Sequence, residues 1–338
     1  MDHSLPDGTL PAAAPGSERI ARELLASTLG LIGDHPATLD LKIAAAALAE
    51  MRDAFAMFAP YRDVPKVTVF GSARPGAHDP LYAAATAIAA AFAAGGWMVV
   101  TGAGPGIMRA AMEGAGRERS IGVSIRLPFE ESANPVIVGD DKQVAMKYFF
   151  TRKLMLVKES KAFVCLPGGF GTMDEMFELL TLTQTGKGVP VPIVLLDTAG
   201  DVFWREVDDF VRKQLVSRNL VNPIDRKLYF VTDSVEAARD EIERFYSNYD
   251  SIRYQDDTAI VRLRRAPSDA ELALLNERFG GPGATLLQVA DGPIERTDAL
   301  AVEVRQHDKA DLPRLRFGFG GHRYGALRSL IDAVNELA

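Results

Sequence analysis

Three glycine-rich runs each follow a short apolar segment: Gly71-Ser72-Ala73-Arg74-Pro75, Gly102-Ala103-Gly104-Pro105-Gly106 and Pro167-Gly168-Gly169-Phe170-Gly171-Thr172. Glycine permits positive φ and lets a backbone come close to a ligand. Where such a loop runs into a helix, the unpaired amides attract an anion and the macrodipole helps. One such loop is explained by the steric needs of a strand-to-helix turn. Three at one edge of one sheet point to a phosphate-bearing ligand. That makes Gly71, Ser72, Gly102, Gly104, Gly106, Pro167, Gly168, Gly169, Gly171 and Thr172 the candidate binding residues.

The pattern also excludes ligands. The second loop reads G-x-G-x-G and follows the second strand, not the first. No acidic residue ends the following strand to hold a ribose diol, Glu130 in a Pro-containing loop being the nearest, so a nicotinamide dehydrogenase fits poorly. No G-x-x-x-x-G-K-[ST] run is present, which removes the P-loop ATPases. In Thr172-Met173-Asp174-Glu175 the Thr and Glu have the spacing of a capping box, and Asp174 in the first turn suits the dipole. Arg152-Lys153 lies on the preceding helix. It is either a solvated face or a cationic pair at the loop, if the front half of that helix overlies the sheet's carboxyl edge. His3, His35, His78, His307 and His322 show no ligand spacing, and Cys165 is the only cysteine, so no metal and no disulfide are expected. Pyridoxal-phosphate chemistry needs a Schiff-base lysine; nothing selects Lys153 or Lys158 for it.

The elements that must hold these loops alternate. Val67–Phe70, Met98–Thr101, Ile121–Ile125, Ala162–Leu166, Pro192–Leu196 and Leu228–Val231 read as strands. Helices are expected between them at 80–94, 106–116, 143–159, 173–185, 202–216 and 234–249. The strands are continuously apolar, as in a parallel sheet covered on both faces. The fold class is therefore α/β, a doubly wound (Rossmann-like) parallel sheet over 63–250. An N-terminal helical extension (16–62) and a small C-terminal α+β unit (255–338) flank it.

In the extension, Leu41, Ala45, Leu48, Met51, Phe55 and Phe58 recur at helical spacing and predict one apolar face, to be covered by the main domain or a partner subunit. Residues 1–15 read as a disordered tail. In the C-terminal unit, Thr258–Leu263, Thr285–Val289, Ala299–Val304 and Leu315–Phe319 read as strands, and Ser268–Arg278 and Tyr324–Leu337 as helices. The unit carries no recognisable chemistry and reads as a packing, oligomerisation or regulatory module.

Composition agrees. The 338 residues are 47% hydrophobic and 25% charged with a net charge of −7, ordinary for a globular chain and short of the basic surplus of a sequence-blind nucleic-acid binder. Pro80 to Met108 lacks charge, but it is alanine-rich and broken by glycines, so a buried helix, a strand and a loop are expected there and no membrane span. No basic region precedes an apolar run at the N-terminus. The expectation is a cytoplasmic, soluble protein with no membrane or nucleic-acid partner.

Taken together, Arg152-Lys153 and Ala162-Phe163-Val164-Cys165-Leu166-Pro167-Gly168-Gly169-Phe170-Gly171-Thr172-Met173-Asp174-Glu175 resemble the RK…PGGxGTxxE signature of the LOG (Lonely Guy) family. Its members are cytokinin riboside 5′-monophosphate phosphoribohydrolases, long mislabelled lysine decarboxylases. The resemblance runs from Val67 to about Gly186, and more loosely to Tyr249; the extensions resemble a longer bacterial subgroup. It implies Arg152 and Glu175 as catalytic residues and Lys153 beside them. It also implies a phosphate-gripping loop at Gly168, Gly169, Gly171 and Thr172, a nucleotide-facing turn at Gly104 and Gly106, no cofactor, and a homodimer or larger assembly. Three departures stand out: Ala103 for a common glycine, Lys161 for a common Asp, and Phe149-Phe150-Thr151 ahead of Arg152. The last two are expected near the base pocket. The implied activity is hydrolysis of AMP or an N6-modified AMP to free base and ribose 5-phosphate; the alternative is a nucleotide sensor or carrier that binds without cleaving.

Overall fold

A computed structural model describes residues 17–126, 133–320 and 323–337. The 1–15 tail, Glu130 and His322 lie outside the described residues. Two compact units divide between Asp53 and Ala54. The first comprises α1 (Glu18–Gly33) and most of α2 (Thr38–Phe58). α1 buries none of its residues. The apolar face expected on α2 is not buried as a whole: Leu48 and Phe55 are 42% and 45% exposed, whereas Phe58 is buried.

The second unit opens with β1 (Lys66–Phe70), α3 (Pro80–Ala94), β2 (Met98–Thr101), α4 (Ile107–Ala115), β3 (Ser120–Ile125) and β4 (Gln143–Met146). It continues through α5 (Phe149–Lys158), β5 (Ala162–Cys165), α6 (Phe170–Gln184), β6 (Ile193–Leu196), α7 (Phe203–Phe210), β7 (Phe230–Thr232) and α8 (Val235–Phe245). The strands form a parallel sheet of order β4-β3-β2-β1-β5-β6-β7. Strand order therefore reverses between β1 and β5, and the chain is the doubly wound α/β fold expected from its alternation. β1, β2, β5 and β6 are buried along their whole length, which is why their sequences are apolar but for Lys66, Thr68 and Thr101.

The expected 143–159 helix is a correction. Its first four residues are β4, and the helix starts only at Phe149. Gln, Ala and Met favour helix locally, but pairing of Gln143–Met146 with Gly122–Ile125 decides the outcome.

The chain then builds β8 (Tyr249–Gln255), β9 (Thr258–Leu263), α9 (Asp269–Phe279), β10 (Glu295–Thr297), α10 (Ala301–Gln306), β11 (Arg314–Gly318) and α11 (Tyr324–Asn335). This second sheet is antiparallel, of order β10-β11-β9-β8. One face carries the core, with Val261, Leu275, Phe279, Leu315 and Leu330 in one cluster. On the other side Arg262 and Arg314 are buried around Glu303 of α10. The expected strand at Ala299–Val304 is thus a correction: those residues mostly form a helix that buries Glu303. Thr285–Val289 is likewise irregular, and β10 lies further on. Among the described residues no helix is long and apolar enough to cross a membrane.

Candidate active site

β2, β1 and β5 are neighbours in the sheet, so the three glycine loops leave adjacent carboxyl ends, beside the point where strand order reverses. In open α/β sheets that crevice is where ligands bind. Backbone bonds tie the loops together: Ser72 N–H donates to the Pro167 carbonyl at 3.2 Å, and Ile107 N–H donates to the Ser72 carbonyl at 2.9 Å. Gly106 has φ +64, and a Cβ there would run into the Ser72 and Ala73 backbone, so only glycine closes this junction. The Ile107 bond consumes one of the first amides of α4. At the front of α6 the amides of Phe170, Gly171 and Thr172 belong to the first turn, which lacks intrahelical acceptors. Of the two helix starts, α6 is the better anion cradle.

The capping-box arrangement of Thr172 with Glu175 is not formed. The N-cap of α6 is Gly169, and it makes no side-chain cap. The helix starts three residues earlier than the box requires, leaving Thr172 inside the first turn and Glu175 one turn further on. Glu175 instead faces Arg152, with Oε1 3.5 Å from the guanidinium Nη1 and both side chains nearly buried. α5 does overlie the carboxyl half of the sheet: Arg152 Nε donates to the Val123 carbonyl of β3 at 3.0 Å. A Cβ on Gly102 would overlap the Arg152 guanidinium, so this glycine makes room for a cation.

Burial dominates the electrostatics of the pair. It pushes the Glu175 carboxyl up to about 7, against the opposing pull of Arg152. It also lowers the Arg152 guanidinium, with Glu175 pulling the other way. Among the described residues nothing donates a hydrogen bond to the Glu175 carboxylate, which leaves it underpaired and half-ionised near neutrality. Cys165, the last residue of β5, is fully buried and its thiol is raised by that burial and, to a lesser degree, by the Glu175 charge, so it is inert.

Lys153 does not join Arg152. One residue on, it points about 100° round the helix and bonds Asp174 and Glu178 of α6, each at 2.7 Å. Burial works against its charge, but those bonds win and raise its pKa. Lys161 is also misplaced by the sequence reading. It precedes β5, its amide donating to the Lys66 carbonyl at the amino end of β1, so it lies at the sheet edge opposite the glycine loops. Phe149 and Phe150, in contrast, are more than half exposed on the first turn of α5, and Thr151 beside them is buried.

Two features escaped the sequence. Asn134 is buried; its amide donates to the Ala103 carbonyl and its side chain to the Gly104 carbonyl, pinning the second loop. The Asn134-Pro135 dipeptide was the signal for a turn there. Ala103 is left-handed at φ +57, a conformation that costs a non-glycine roughly 1–2 kcal/mol, so the departure from glycine stores strain in this loop. Among the described residues no group of three or more His, Cys, Asp or Glu could hold a metal.

A family model described as "Possible lysine decarboxylase" matches residues 106–242. The cytokinin riboside 5′-monophosphate phosphoribohydrolase of Mycobacterium tuberculosis is 30% identical over 178 residues, covering 51% of this chain and 90% of the relative. The chain belongs to the LOG family. A "probable" LOG enzyme of Arabidopsis thaliana is 32% identical over 112 residues, 33% of this chain and 54% of its own. The chain spans about half the length of the plant LOG relatives it matches, from 46% to 62%. Among solved structures, the molybdenum cofactor carrier protein of Chlamydomonas reinhardtii covers 54% of this chain and 97% of its own at 21% identity. Its TM-score of 0.39 is too low to bear on function.

Proposed function

We propose that this LOG-family protein hydrolyses the N-glycosidic bond of AMP or an N6-modified AMP, releasing free base and ribose 5-phosphate. The observation that carries the reading is the underpaired Glu175 carboxylate, buried against Arg152 beside three glycine loops that backbone bonds knit together. The 5′-phosphate sits on the amides that open α6, and its binding energy aligns the ribose. Glu175, ionised in about half the molecules near pH 7, accepts a proton from water as the new oxygen bond forms at C1′. The C1′–N bond breaks with its electron pair leaving on the base, which takes up a proton, and the carboxylate stabilises the oxocarbenium-like state between. Arg152 holds the nucleotide and stabilises the departing base. No metal or cofactor enters this scheme.

The working form is proposed to be a homodimer or larger assembly. Leu24, Leu29 and Leu48 of the first unit are exposed, as are Phe149, Phe150 and Phe170 in the second, the last at 96%. Of these, Phe149 and Phe150 share one surface with Leu154 and Val157, and an exposed apolar patch marks an interaction surface. Light scattering is expected to give at least twice the chain mass; a monomer overturns this part.

Incubation with AMP and with N6-isopentenyl-AMP, followed by chromatography for free base, tests the activity. Release by the native protein and none by Glu175→Gln supports the proposal. Tight AMP binding with no release by either overturns it in favour of a nucleotide sensor or carrier.

A further inference from the structure

Behind α6, on the side away from the Arg152–Glu175 pair, lies a cavity of about 220 Å³. Its apolar wall is Phe177 and Leu180 of α6, Val211 and Leu215, Val221, and Leu228. Val211–Leu215 is a π-helical turn continuing α7, and Leu228 ends a 3-10 segment, Pro223–Leu228. π-Turns are rare, and they occur frequently at functional sites.

The polar side chains around the cavity are already bound to protein. Gln184 donates to Asp225 at 2.7 Å, and Thr181 donates to the Phe177 carbonyl at 2.8 Å. Arg226 and Tyr229 both donate to Asp208. Asp225 has no counter-charge but accepts from both Gln184 and the Asn222 amide, the latter at 3.3 Å. Each polar side chain at this wall therefore already has a protein partner, and a polar ligand loses its hydration with little replacement. The space exceeds the apolar cavity of about 150 Å³ that takes up benzene. Its wall also touches the C-terminal unit: a Cβ on Gly325 of α11 would fall 2.8 Å from the Ile224 carbonyl of the 3-10 segment.

We propose that this cavity is a second binding site, for a neutral, largely apolar molecule of one or two fused rings. It is distinct from the nucleotide site and independent of what that site does. A ring with polar edges is rejected and an apolar ring of the same size is accepted.

The test is titration of the full chain with indole and, separately, adenine, followed by the leucine and valine methyl NMR signals. Saturable shifts of Leu180, Val211 and Leu228 with indole are expected, with adenine binding at least tenfold more weakly. Leu180→Phe, which fills the cavity, is expected to weaken indole at least tenfold; Val221→Phe, from the opposite wall, serves if the first variant does not fold. The proposal is overturned by absence of saturable shifts, by adenine binding as well as indole, or by unchanged affinity in the filled variant. It is equally overturned if indole is displaced by AMP, or if the same methyls shift on dilution without probe, which would show a second copy filling the space.

Discussion

Two of the buried arginine–glutamate groupings among the described residues, one in each sheet, are built in opposite ways. In the C-terminal sheet, Glu303 accepts from Arg262 Nε at 2.9 Å, from Arg314 Nε at 3.0 Å and from the Leu300 amide at 2.8 Å. Burial opposes its charge, but these donors win and hold its carboxyl below the usual range. In the candidate site Glu175 has one cation at 3.5 Å, and burial wins. A carboxylate saturated with donors is fixed as a structural anion. One left short of donors sits near its own pKa, where it can exchange a proton.

The largest expected effect is at the deficient pair. Glu175→Gln is expected to lower kcat for base release by about 10³, within the range for a lost general base, with AMP affinity within a few-fold. A collapse of affinity with residual turnover would make Glu175 a binding residue and erase the contrast.

Next comes the saturated group. Glu303→Ala removes the carboxylate paired with buried Arg314 and leaves Arg262 with Asp308 alone, and is expected to cost about 3–5 kcal/mol of stability by denaturant titration, with turnover per folded molecule unchanged.

The pH dependences run in opposite directions. Glu175 binds its proton more tightly folded than unfolded, so its contribution to stability is full below about 4.5 and lost as pH rises to about 7. Against Glu175→Gln measured in parallel, the native protein is expected to lose about 3 kcal/mol between pH 4 and pH 8. Glu303, depressed in the folded state, stabilises above its unfolded pKa and loses that contribution on acidification. Native protein against Glu303→Gln therefore diverges with the opposite sign. kcat/KM is expected to rise with pH through a midpoint near 7.

Gly102→Ala pushes on the Arg152 guanidinium and is expected to reduce kcat/KM about tenfold, 1.4 kcal/mol. Gly169→Ala is the gentlest. No atom lies within 4 Å of the added methyl, so Tm should hold while KM for AMP rises a few-fold. Unchanged KM would remove Gly169 from the phosphate loop.

The contrast also explains what was legible in the sequence. The three loops could be read because glycine after an apolar strand is a local signal, and the family motif added Arg152 and Glu175. The arginines around Glu303 carry no such signal: Arg262 is 41 residues away, and only sheet register with α10 laid across it brings them together. The same gap made Ala299–Val304 look like a strand, since its short apolar run is compatible with one and the burial of Glu303 in an ion cluster leaves no local sign. Lys161 was misplaced because nearness in sequence to Pro167 hides the length of β5 between them. β4 was missed because edge pairing overrode local preference.

The site is also a late product of folding. Thr68 on β1 donates to the Leu156 carbonyl, 88 residues on, and the Thr68 and Ser160 hydroxyls bond across 92. With Ser72 tied to Pro167, the first glycine loop takes its final shape only once the chain through β5 and α6 is in place. Contacts of such separation close slowly, because loop entropy is lost before they form. On the ribosome, a nascent chain that ends before Pro167 holds two of the three glycine loops, and one that ends before Glu175 still lacks the carboxylate and most of α6, so neither completes the pocket. Nucleotide retention by stalled chains of increasing length should therefore switch on abruptly after α6 emerges.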